Sequence, residues 1–256
     1  MPLITVSQAA SVIMISVVGL ILSGVLLKPR SKNRYPVQLV SVITSLVSVW
    51  LLINVLADRT INTFWFGAAS KVSHALPQFI LISFITFLYS FPPKKRVNYV
   101  LVGLLSTVAL LVSYLIFFQE IAFVTIQPGL PSINTAGPTF YLFELSYAML
   151  LGAICIIGYS KWRAIMPGVD RHVFGSTLAG FAVTTLLAIA STILTTYFPD
   201  TFYWYYPAYL SVGVYIMVLG FVISRFGAMQ ISFSYSRKLI VLAIIAIVLL
   251  IFLATA

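Results

Sequence analysis

Acidic residues are scarce in this chain: five Asp and Glu stand against 15 Lys and Arg, and charged residues of both signs fill only 8% of 256 positions. A soluble domain carries about a quarter charged residues, and here 61% of the residues are hydrophobic. That combination excludes an ordinary soluble fold and identifies an integral membrane protein, of the all-α class because long apolar runs satisfy their own backbone only as helices. A single cysteine, Cys155, excludes an internal disulfide, and its apolar surroundings predict a small core residue. Two histidines on opposite sides and one cysteine exclude the usual metal sites. There is no HExxH, no GxSxG, no phosphate-cradling glycine loop and no carboxylate pair within a span. The expectation is a non-enzyme with no cofactor. A retinal protein is excluded because no lysine lies deep in the last helix; Lys238 is at a boundary and Lys71 near an outer edge. No inverted repeat with paired broken helices is evident, which argues against a transporter.

What is present is length of apolar sequence. A span takes roughly 20 apolar residues, and runs at 8–27, 36–57, 70–91, 98–118, 138–160, 173–197, 204–224 and 239–256 meet or approach that. The prediction is a bundle of seven transmembrane helices, residues 1–230, followed by a connector and an eighth C-terminal helix within 231–256. The N-terminus lacks the basic region of a signal peptide, so the first run is expected to stay as a helix. Basic residues test the division, because they gather on the cytoplasmic side. Alternate links hold Lys28, Arg30, Lys32, Arg34, Lys94, Lys95, Arg96, Lys161, Arg163, Arg171, Arg225, Arg237 and Lys238, leaving only Arg59 and Lys71 on the other face. The N-terminus is therefore expected outside, in a multi-pass protein of the plasma (inner) membrane. The basic links orient the chain and meet anionic lipid at the inner face rather than nucleic acid. His172, in the inner link "DRH", is expected to be solvated. The outer link "IAFVTIQPGLPSINTAG" carries strand-like residues around a turn signal, which predicts a small hairpin with "LPSIN" as its return.

Polar residues within the spans are few. Counted at about 1.5 Å per residue, Asn54, Lys71, His74, Gln78, Glu144 and Tyr147 all fall in the outer third of the bilayer. Lys71, His74 and Gln78 share one face of the third helix, and Glu144 and Tyr147 share one of the fifth. A buried carboxylate costs about 2.5–3.5 kcal/mol even on the insertion scale, so Glu144 is expected to pair with Lys71 or His74. Three readings follow: a structural pair between helices, an outward-open site for a small ligand or proton, or a protonated, inert acid. In the second, Trp65, Phe66, Phe140, Tyr203 and Trp204 form apolar walls around the polar groups.

The stretches "GPTFYLFELSYAMLLGAICIIGYSKWR", "GSTLAGFAVTTLLAIASTILTTYFP" and "YLSVGVYIMVLGFVISRFGAMQIS" occur in an order and with an ending that resemble the seven-helix sensor region at the N-terminus of many bacterial histidine kinases and related signalling proteins. In that family the last helix runs into a basic residue and a short connector; "FVISRFGAMQIS", with Arg225, occupies that place, and "SRKLIVLAII" resembles the opening of a further helix. The acidic residue of the family's connector is missing, and no kinase or cyclase domain follows within the sequence. The resemblance implies a sensor or receptor-like module that detects a small extracytoplasmic or membrane-borne signal and passes it through helix seven to a cytoplasmic partner or output domain. A homodimer is compatible with that role. The alternatives are a small transporter or channel subunit, or a structural subunit of a membrane complex.

Overall fold

The computed structural model describes residues 5–26, 34–60, 62–91, 99–118, 123–125, 135–136, 140–197, 209–216 and 218. They form helices α1 (Val6–Leu26), α2 (Arg34–Arg59), α3 (Thr63–Ser90), α4 (Tyr99–Phe118), α5 (Phe140–Ala164) and α6 (Val169–Tyr197). A further helical stretch, α7, covers 209–216. All six long helices contain windows long and apolar enough to cross a membrane, so the chain is an α-helical, multi-pass membrane protein. The eighth run, the connector and the basic links around Lys94 and Arg225 lie outside the described residues. The expected hairpin exists as a ribbon of two short antiparallel strands, β1 (Phe123–Thr125) and β2 (Thr135–Ala136). Its return strand follows "LPSIN" rather than falling within it.

Side-chain contacts fix the direction of each helix. Ser41 and Ser45 of α2 bond Ser23 of α1, Ser73 of α3 bonds Asn54 of α2, and Lys71 of α3 reaches Phe117 near the end of α4. Trp162 of α5 lies against Gly175 of α6, and Thr184 of α6 bonds Ser211 of α7. Neighbours in these pairs run antiparallel, whereas α3 and α5 run parallel, meeting at Gln78 with Ser146 and again at Leu88 with Lys161. The ends are called outer and inner as the basic residues orient them. Helix α3 packs against α2, α4 and α5.

Two helix boundaries differ from the sequence reading. Helix α3 begins at Thr63, because the Asn62 side chain accepts the backbone N–H groups of Phe64 and Trp65 at 3.0 and 3.3 Å and caps the helix. "TFWFG" is thus a first helical turn rather than a link. Helices α5 and α6 are joined by only Ile165–Gly168, where Gly168 takes φ 153°, a backbone conformation that side chains rarely allow. His172 accordingly sits in the first turn of α6, its N–H bonded to the Gly168 carbonyl, and is exposed.

The inner half is aromatic. Phe84 of α3 stacks on Phe181 of α6 at 3.9 Å, Phe87 on Phe91 at 5.8 Å and Phe91 on Phe174 at 6.4 Å, while Tyr215 of α7 meets Phe181 edge-on. Apolar burial gives little drive inside lipid, so helices there associate by close packing and polar contacts; each aromatic pair contributes about 0.5–1.5 kcal/mol.

Candidate functional site

Helix α3 carries most of the polar chemistry, and its sequence explains why. Pro77 lies inside the helix and has no N–H to give the carbonyl four residues earlier, that of Ser73. The Trp50 indole of α2 supplies the missing donor: Nε1 donates to Ser73 O at 2.9 Å. Around this repair, the Ser73 hydroxyl donates to Asn54 Oδ1 at 2.9 Å and Asn54 Nδ2 donates to Trp50 O at 2.7 Å. The Trp50 ring also meets Tyr209, the first described residue of α7, edge-on at 6.2 Å. Non-helical backbone needs are tolerated at membrane depth only with such partners.

Facing α5, Gln78 is fully buried; its Nε2 donates to Ser146 Oγ at 3.1 Å, and Ser146 in turn donates to Phe143 O at 2.8 Å. Among the described residues nothing bonds Gln78 Oε1. His74 Nδ1 donates to Ser70 O at 2.8 Å, and its ring meets Phe143 edge-on at 5.8 Å. Phe143 stacks on Tyr147 at 6.1 Å. Lys71 Nζ donates to Phe117 O at 3.3 Å, which places a cation on the C-terminal turn of α4.

The structure therefore brings Asn54, Lys71, His74, Gln78 and Tyr147 to the outer half around α3, and treats Glu144 differently. Glu144 is exposed, and among the described residues neither a hydrogen bond nor an ion pair reaches it. The expected pair with Lys71 or His74 is not formed. The reason is angular: Phe143, Ser146 and Tyr147 occupy the face of α5 turned to α3, and Glu144 lies about 100° from Phe143 around the helix. Trp65 is 63% exposed beside Phe64, whereas Phe66 is buried. Phe140 opens α5, with its side chain outside the described residues, as are Tyr203 and Trp204. Cys155 is exposed rather than buried, because half of α5 faces lipid and an apolar residue in a span need not belong to the core.

Sequence reasoning missed Trp50, Ser73 and Ser146. An indole in mid-span needs an acceptor and a proline in mid-helix frees one, so Trp50 and Pro77 together were the available signal. It also missed the inner counterpart, Lys161. From the end of α5 its ammonium donates to the carbonyls of Leu88, Tyr89 and Phe91 at 2.5, 2.7 and 3.1 Å. A cation thus closes the C-terminus of α3, where helical carbonyls lack intrahelical partners.

Compared with known proteins, the chain matches no family model, no curated protein and no solved structure. Among the described residues no cluster of His, Cys, Asp and Glu is placed to hold a metal ion.

Proposed function

We propose that this chain is a membrane sensor or receptor-like module, a seven-helix bundle with an eighth C-terminal helix in the plasma (inner) membrane of a bacterium. It reads a small extracytoplasmic or membrane-borne signal at its outer half and relays it to a cytoplasmic partner through helix seven. One observation carries this reading: Trp50 bonds the Ser73 carbonyl and packs on Tyr209 of α7. A change among the outer polar groups of α2, α3 and α5 is thereby in contact with α7, which continues inward through Tyr215 to the aromatic stack. Ligand binding shifts such a bundle only by its differential affinity for two arrangements. The stacked Phe84, Phe181, Phe91 and Phe174 also favour relay over conduction, since they fill the inner half with packed rings.

The test uses the full chain in vesicles. A fluorine label at Val218→Cys, in a Cys155→Ser background, should change its resonance when external pH or bilayer thickness is altered, and Trp50→Phe should suppress the change. Proton or ion flux above that of protein-free vesicles, reduced by Glu144→Gln, would overturn the proposal in favour of a transporter.

A further inference from the structure

The inner ends of α5 and α6 border a groove of about 350 Å³ lined by Trp162, Arg171, His172, Gly175, Ser176 and Ala179. Among the described residues its cation is held over an aromatic ring and not by an ion pair. The Arg171 guanidinium lies over the Trp162 ring, 4.5 Å from the centroid. Stacking of this kind fixes the guanidinium plane while leaving its N–H groups available for a bidentate acceptor. Among the described residues no hydrogen bond or ion pair uses those donors, and the adjacent carboxylate of Asp170 is exposed and not paired with Arg171. Room for the indole comes from Gly175: a Cβ there would sit 3.1 Å from Trp162 Nε1, closer than ordinary contact.

The surroundings select the kind of anion. Helix α5 ends at Ala164 and α6 starts at Val169, so the groove lies where apolar spans give way to headgroups. From it an exposed apolar strip runs toward the bilayer centre along Ile156 of α5 and Val183 and Leu186 of α6. A soluble anion has no use for that strip, whereas a phospholipid fits both parts. We propose that this groove is a built site for one anionic phospholipid, its phosphate on the Arg171 guanidinium with His172 and Ser176 as further polar partners, and its acyl chains along the strip. The site is independent of the sensor reading.

Native mass spectrometry of the full chain, titrated with phosphatidylglycerol against phosphatidylcholine, tests the assignment. A basic residue near the surface contributes about 1 kcal/mol to anionic lipid binding, so Arg171→Gln should weaken the first phosphatidylglycerol about fivefold. Ser176→Glu, which keeps Arg171 and Trp162 but adds a like charge to the phosphate, should remove the preference, and it decides the matter if the arginine variant does not fold. Arg163→Gln, at the same end but over the Tyr159 ring at 5.8 Å, should leave the first lipid in place. Equal losses from Arg163→Gln and Arg171→Gln would mean a diffuse basic surface and overturn the site, as would unaltered binding in Ser176→Glu. Calorimetric titration with inorganic phosphate alone should give no Arg171-dependent heat; such heat would assign the groove to a soluble anion instead.

Discussion

Helices α3 and α5 meet at both ends of the bundle, and the two meetings differ in kind. At the inner end one ammonium, Lys161, gathers three carbonyls of α3, so the contact is charge-assisted and the helix terminus is satisfied. Farther out, from the middle of α3, Gln78 bonds Ser146, a neutral contact at 3.1 Å, beside a buried amide oxygen that no described residue bonds. The same two helices are thus fastened at one end and only matched at the other. Under the proposed relay, this asymmetry would let the two helices change spacing at the matched contact while the fastened one keeps their registration.

The largest expected effect breaks the fastened end. Lys161→Met leaves several carbonyls without a donor, and since each charge-assisted bond contributes about 1.5–3 kcal/mol, denaturation in mixed micelles followed by circular dichroism should show a loss of about 3 kcal/mol. A loss below about 1 kcal/mol, the size of a neutral hydrogen bond, would erase the difference between the ends. Next comes the repair at Ser73. Trp50→Phe orphans its carbonyl and should cost about 1–2 kcal/mol; in a Pro77→Ala background, where residue 77 regains its N–H, the cost should fall by half or more. Absence of coupling in that double-mutant cycle would show that Trp50 serves by packing alone. The smallest effects belong to the matched end. Gln78→Leu removes a half-used amide, and Glu144→Gln alters an exposed side chain, so each should stay within about 0.5 kcal/mol in the same assay. A loss of about 2 kcal/mol from Gln78→Leu, typical of a broken buried network, would make the outer contact a fastening too and remove the asymmetry.

The first six spans, their antiparallel alternation and the two-strand ribbon were legible because apolar length and turn chemistry are local. The outer polar set was legible in part: Lys71, His74 and Gln78 were placed on one face, and α3 does turn His74 and Gln78 toward α5. Glu144 was misplaced because depth along a helix is set by sequence position, whereas rotation about its axis depends on which neighbour the helix meets. The same ignorance of rotation put Cys155 in the core. Lys161 was read only as a topological charge, since nothing local to α5 announces that the end of α3 lies beside it.

Pro77 also bears on the order in which the protein is made. Synthesis makes α2 before α3, so when α3 enters the membrane the freed carbonyl of Ser73 can at once find Trp50, carried by the helix just before it. Among the described residues, no earlier helix supplies a side-chain donor to the carbonyls of Leu88, Tyr89 and Phe91. Lys161, which donates to them, comes with α5, two helices later, and before then water and headgroups can serve those carbonyls. The interior fault in α3 is thus repaired by what has already been inserted, and its terminus by what has yet to come.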